Sequence, residues 1–170
     1  HQNETGQAIC LPCVPGKYGS EQGMTLCDDC AQNTYTDTTL QTSCKGCSAG
    51  QSTDGKGKTI CRACTAGRFK AFGSSSCEGC PRGWARNASA TSDTCTRCKA
   101  GKHQTADGQA ICLPCIPGKY GDVQALTTCK DCPANTFTNE TLQTSCRVCS
   151  AGESTDGKGK TTCIACGAGK

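Results

Sequence analysis

Large side chains are scarce in this sequence. Its 170 residues include one tryptophan, three tyrosines, three phenylalanines and one methionine. Mean hydropathy is −0.48. No apolar stretch approaches the ~20 residues of a membrane-spanning helix, so no membrane insertion is expected. A domain of this length normally buries one apolar core. This chain lacks the side chains for one, so cross-links must take over from packing. No segment shows the 3.6-residue period of a helix. Lysine and arginine outnumber aspartate and glutamate by 18 to 14, but the positive residues are scattered. Their longest cluster is GKGK at 55–58, repeated at 157–160. No basic stripe is interleaved with aromatics, which argues against nucleic acid as a partner. No Ser-His-Asp set or carboxylate pair has a framework to hold it, so no catalytic site, enzyme activity or cofactor is expected. The first residue is His1, with neither an initiator methionine nor a signal peptide, which reads as a mature or cut segment.

Cysteine is abundant, with 20 in all. They fall into ten C-x-x-C pairs that begin at Cys10, Cys27, Cys44, Cys61, Cys77, Cys95, Cys112, Cys129, Cys146 and Cys163. The step is 17 residues, with one of 16 and one of 18 that cancel. A short, regular period marks a repeat array. The expected fold is therefore small, disulfide-rich, irregular β with almost no helix: ten tandem repeats in an elongated rod or solenoid. At two strand widths of ~4.8 Å per repeat, ten repeats would span about 100 Å. A longer period lies above the short one. Residues 1–68 realign with 103–170 at an offset of 102, with 46 of 68 positions identical. HQNETGQAICLPCVPGKYG becomes HQTADGQAICLPCIPGKYG. The reading is one array over 1–170, built from a duplicated six-repeat block and continuing in a longer chain.

Each repeat carries a fixed phrase. The third residue after the second cysteine is Gly in eight repeats (Gly16, Gly50, Gly67, Gly83, Gly101, Gly118, Gly152, Gly169) and Asn in two (Asn33, Asn135). These residues tolerate positive φ, so a backbone turn is demanded there. The fifth is often aromatic, as at Tyr18, Tyr35, Phe69, Tyr120 and Phe137, and a ring there would cover the adjacent disulfide. Asp54-Gly55, Asp107-Gly108 and Asp156-Gly157 read as hairpin-type tips. GQSTDGKG at 50–57 falls one residue short of a phosphate-binding loop, with Gly57 where Ser or Thr should hold magnesium. It reads as another hairpin tip.

Three readings of the cysteines compete. C-x2-C-x13-C-x2-C lies close to zinc-site spacing. Zinc knuckles, however, usually place glycine directly after the second cysteine, whereas Gly167 alone does so here. Pro81 and Pro133 at that position have no N–H to offer a thiolate. The two histidines, His1 and His103, are one repeat position seen twice and follow no ligand spacing. A redox C-x-x-C needs a helix N-terminus, and ten motifs that each run into a turn cannot supply it. Disulfides explain the poor core, the even count and the constant gap. Each closed loop of about 15 residues contributes ~3 kcal/mol in the chain-entropy account. No metal is expected.

Two connectivities remain open. Local pairing joins Cys13–Cys27, Cys30–Cys44, Cys47–Cys61, Cys64–Cys77, Cys80–Cys95, Cys98–Cys112, Cys115–Cys129, Cys132–Cys146 and Cys149–Cys163, and leaves Cys10 and Cys166 to pair beyond the segment. Interleaved pairing, as Cys10–Cys27 with Cys13–Cys30, makes a 34-residue unit. Odd and even repeats show no alternation, which favours the local form.

The phrase C-x-P-G-K-Y-x8-C-x-x-C at Cys13–Cys30 and Cys115–Cys132 resembles the first loop of tumour-necrosis-factor-receptor cysteine-rich domains. C-x-x-C-x-x-G-x-Y/F with short spacing more closely resembles the ephrin-receptor-like cysteine-rich repeat, over the whole chain. That resemblance implies an extracellular or cell-surface setting and local loop disulfides stacked into a rod. It also implies kinship with the long arrays of algal and protist surface proteins, including flagellar hair (mastigoneme) proteins. The chain departs from the receptors in using one module throughout.

Asn3, Asn87 and Asn139 open N-x-S/T sequons and are glycosylation candidates. Ser/Thr-rich runs such as TYTDTTLQTS at 34–43 suit O-glycosylation or ordinary polar loop. The expected function is a structural subunit of an extracellular glycoprotein filament or surface appendage, self-associating or wrapping a second protein or glycan component. The alternatives are a ligand-binding receptor ectodomain, with Trp84 and Phe72 in the irregular 65–98 block, and an intracellular zinc-binding repeat protein.

Overall fold

The structure is a computed structural model that describes residues 10–71, 74, 76–88 and 94–167. By contact the chain falls into two compact units. One comprises His1–Thr65, Phe69–Glu78 and Thr91–Thr94; the other comprises Ala66–Arg68, Gly79–Ala90 and Cys95–Lys170. Both are built from the same element, a hairpin of two two-residue strands, and the described residues contain no helix.

Each hairpin follows from the repeat's own phrase. The two residues between the cysteines of a C-x-x-C form one strand. The two residues after the turn Gly or Asn form its antiparallel partner. In the first unit Lys17–Tyr18 pairs with Asp28–Asp29, Thr34–Tyr35 with Lys45–Gly46, and Gln51–Ser52 with Arg62–Ala63. In the second, Trp84–Ala85 pairs with Thr96–Arg97, Lys102–His103 with Leu113–Pro114, Lys119–Tyr120 with Lys130–Asp131, Thr136–Phe137 with Arg147–Val148, and Glu153–Ser154 with Ile164–Ala165. The C-x-x-C strand is exposed in every hairpin. An isolated two-stranded hairpin is at best marginally stable in water. The disulfide across its base supplies the missing constraint.

The turn residue does more than reverse the chain. Gly16 has φ +84° and Gly118 +82°, while Asn33 and Asn135 hold +66° and +62°. This is the left-handed region that the sequence demands there. The Gly16 N–H donates to Thr36 O of the next repeat at 2.9 Å, and its carbonyl accepts from Cys30 N at 2.9 Å. Gly57, one repeat further along, donates its N–H to Cys30 O at 2.8 Å. Three consecutive repeats thus meet at one turn. A Cβ on Gly16 would stand less than 3.0 Å from the Gly57 carbonyl oxygen. Gly83 against Ala125, Gly101 against Leu142, and Gly118 against Gly159 stand in the same relation. Glycine is required there for space as well as for φ.

The Asp-Gly pairs are corrected by this arrangement. They do not cap two-residue hairpin loops, because the strands end so close to the cysteines that a long connection remains, as from Ser52 to Arg62. That connection bends back onto the preceding repeats. There Gly57, Gly108 and Gly159 donate to Cys30 O, Cys80 O and Cys132 O. The sequence GQSTDGKG is part of this contact.

The interior consists largely of sulfur. Of the ten buried apolar residues described, nine are cysteines and the tenth is Ala85. The aromatics Tyr18, Tyr35, Tyr120 and Phe137 stay half-buried. Beside the disulfides lies a buried polar position, the sixth residue after the second cysteine. It holds Thr36, Thr53, Lys70, Arg86, Gln104 and Thr138. The Thr36 hydroxyl accepts from Gly16 N at 2.8 Å, Thr53 from Asn33 N at 2.8 Å, and Thr138 from Gly118 N at 2.9 Å. Gln104 donates instead to Ile111 O at 2.8 Å. Such a bond nets about 1 kcal/mol, and leaving a buried turn amide unpaired costs about 1–3 kcal/mol.

Candidate functional site

The cysteines are joined second-to-next-first: Cys13–Cys27, Cys30–Cys44, Cys47–Cys61, Cys64–Cys77, Cys80–Cys95, Cys98–Cys112, Cys115–Cys129, Cys132–Cys146 and Cys149–Cys163. Each bridge closes one loop over a hairpin. Cys10 and Cys166 are exposed and unbonded.

One histidine is drawn into this framework. The second residue after the turn glycine faces the disulfide of the following repeat. Ser52 Oγ lies 3.1 Å from Cys77 Sγ, and His103 Nδ1 lies 3.1 Å from Cys129 Sγ. His103, Cys115 and Cys129 therefore form a compact group of metal-type donors. Cys115 and Cys129 are bonded to each other, so neither sulfur is the thiolate that zinc binding requires. His103 serves as a half-buried cover on a disulfide, in the position held elsewhere by Tyr18, Tyr35, Tyr120 and Phe137. His1 lies outside the described residues, as do Phe72 and Gly169.

Among the sequon asparagines, Asn87 and Asn139 are exposed. Asn3 lies outside the described residues. Exposure also marks a set of apolar residues that flank the C-x-x-C strands. Leu26, Ile60 and Ile111 precede the first cysteine, while Leu113 and Ile164 follow it, with exposures from 41% to 66%.

Several surface charges are paired. Lys17 bonds Asp29 across its hairpin at 2.6 Å, and Lys119 bonds Asp131 at the equivalent place. Lys130 meets Asp122 at 2.8 Å, Lys58 meets Asp54 at 3.0 Å, and Lys160 meets Asp156 at 2.7 Å. Hydrogen bonds from these lysines, followed by their charge, hold the carboxyls of Asp54 and Asp156 below the ordinary aspartate range. The hydrogen bond to Lys130 likewise lowers Asp122 and raises Lys130. Solvent screens all of these pairs.

Sequence reasoning missed two features. The buried polar position has no fixed residue type. Leu40, Ala125 and Leu142 adopt φ of +61°, +59° and +65° at the place where other repeats use Gly57, Gly108 or Gly159. Leucine gives no signal for that conformation.

With this geometry in view, residues 118–163 match the family described as tyrosine-protein kinase ephrin type A/B receptor-like. The matched stretch covers three of the nine disulfide loops in whole or part, and the same loop recurs through both units. Residues 118–163 are thus similar to the ephrin-receptor-like repeat, and the described chain is an array of cysteine-rich, disulfide-closed repeats. No curated protein matches it. The described residues include no helix long and apolar enough to cross a membrane.

Proposed function

We propose that the chain is a segment of an extracellular structural glycoprotein, a filament or cell-surface appendage in which disulfide-stapled repeats associate with copies of themselves. The observation that carries this reading is the junction at the turn glycines. The same backbone bonds and the same close approach recur at Gly16, Gly83, Gly101 and Gly118. Every junction therefore presents its neighbours with nearly the same surface, as polymer building requires. The disulfides favour an oxidising compartment. The exposed Leu26, Ile60, Ile111, Leu113 and Ile164 supply apolar area for lateral contact, and Asn139 is an accessible acceptor for a glycan. Nothing in this reading calls for catalysis.

A second reading, a ligand-binding receptor ectodomain, is favoured by the similarity of residues 118–163 to a family named for a receptor. Sedimentation of the chain over a range of concentrations separates the two. Association that weakens when Leu113 and Ile164 become Glu fits the filament. A strictly monomeric chain at all concentrations sinks it and leaves the receptor reading.

A further inference from the structure

The cross-strand lysine–aspartate pair is confined to two of the described hairpins. In the hairpins of Lys17 and Lys119, the first residue after the turn glycine is a lysine and its cross-strand partner is an aspartate. In the Trp84 hairpin the same register sets Trp84 opposite Arg97. The Arg97 guanidinium lies over the indole, 5.0 Å from its centroid, a cation–π contact that leaves the positive charge uncompensated. One repeat further, Lys102 faces Pro114 where a carboxylate would stand. Two successive hairpins thus carry a cation whose cross-strand neighbour is not an acid.

Both open onto one space. An open cleft of about 410 Å³ is lined by Arg86, Arg97, Lys99 and Lys102 together with Asn87 and Thr96, and none of the described residues lining it is a carboxylate. Arg86 is buried, and its Nη1 donates to Arg68 O at 3.0 Å. Arg97 and Lys99 are exposed and Lys102 is half-buried. Ile111 stands at the rim, 62% exposed. The cleft lies wholly within the second unit.

We propose that this cleft binds an acidic polysaccharide, a sugar chain carrying sulfate or carboxylate groups. Arg97, Lys99 and Lys102 supply the charge, and Thr96 and Asn87 offer hydrogen bonds to sugar hydroxyls. Ile111 offers an apolar contact to a ring face. A nucleic acid strand fits less well. Its bases need free aromatic faces to stack on, and the one indole of the chain is already covered by Arg97. Trp84 acts here as a positioning residue, fixing a side chain that would otherwise sweep solvent. The proposal does not depend on whether the chain builds a filament or a receptor.

The test measures binding of dextran sulfate, unsulfated dextran and duplex DNA to the intact chain, read by fluorescence of Trp84 and by calorimetry. A triple variant, Arg97→Ala/Lys99→Ala/Lys102→Ala, is compared with Lys56→Ala/Arg147→Ala/Lys158→Ala, which removes equal charge from exposed sites outside the cleft. The cleft variant should weaken dextran sulfate at least about tenfold and the control less than about twofold, since only the first removes contacts rather than net charge. Lys99→Arg/Lys102→Arg should keep affinity, and unsulfated dextran should not bind. Intact disulfides by mass exclude misfolding as the cause. Equal loss in both triple variants overturns the proposal. So does duplex DNA binding as tightly as dextran sulfate, which would make the cleft a general polyanion surface.

Discussion

Replacing Gly118 by alanine tests the junction between repeats. Gly118 sits at φ +82°, and its missing Cβ would fall less than 3.0 Å from the Gly159 carbonyl oxygen, two repeats along. Holding alanine in the left-handed region costs ~1–2 kcal/mol. Forcing the Gly159 backbone aside adds ~1–3 kcal/mol, the usual range for overpacking. Gly152 provides the control. It has φ +83° but nothing within 4 Å of its Cβ position, so alanine there meets only the first penalty. The reporter is the Gly159 amide, which donates to Cys132 O at 2.8 Å, read by native-state hydrogen exchange. In Gly118→Ala its protection should fall roughly 5- to 150-fold, which is the second penalty converted at 1.4 kcal/mol per tenfold. In Gly152→Ala it should hardly change, although Gly152 is far nearer in sequence. Gly118→Asn should restore the backbone preference seen at Asn33 and Asn135 but not the space, so most of the loss should remain. Equal effects of Gly118→Ala and Gly152→Ala would refute the three-repeat junction.

The remaining predictions concern single features. Thr138→Val removes the hydroxyl that accepts from Gly118 N. It should lower the local opening energy by about 1 kcal/mol, while Thr138→Ser leaves it near wild type, as exchange at the Gly118 amide will show. Leu142→Gly should raise stability by ~0.5–1 kcal/mol, because relief of the left-handed leucine outweighs glycine's extra chain entropy; a fall in the denaturation midpoint would contradict this. Asp54 and Asp156 titrate below the ordinary aspartate value in the folded chain. Their contribution is therefore full above that value and is lost as pH falls through the lowered folded one. Asp54→Asn/Asp156→Asn should flatten the acid limb of the stability profile, and high salt should do the same. In the isolated 170-residue segment under denaturing but non-reducing conditions, a thiol reagent should find no free sulfhydryl besides Cys10 and Cys166.

The sequence was informative wherever a residue type follows from backbone geometry. Gly and Asn three residues past the second cysteine marked the left-handed turn, and the poverty of large side chains pointed to a disulfide core. Three things were hidden, each for a physical reason. The contact of Gly118 with Gly159 is backbone against carbonyl, and its only trace is a glycine that the turn alone already explained. The buried polar position holds threonine at 36, 53 and 138 but Lys70, Arg86 or Gln104 elsewhere, so no single residue type marks it. Leu40 and Leu142 are held left-handed by hydrogen bonds to Cys13 O and Cys115 O, a tertiary constraint that overrides local preference. The cleft became legible only once register set Trp84 opposite Arg97 and Lys102 opposite Pro114.

The most direct test of the account is the mass of one tryptic peptide from the unreduced protein. Cleavage after Lys130 and Arg147 releases residues 131–147, which contain Cys132, Cys146 and the sequon asparagine Asn139 and have no internal tryptic site. Local loop closure predicts that this peptide appears alone, two hydrogens lighter than its reduced form. Sugar mass added to it would fit the glycoprotein reading. Recovery of the same stretch only as a cross-linked product with peptides carrying Cys115 or Cys163 would mean interleaved pairing, and would contradict the one-loop repeat on which the account rests.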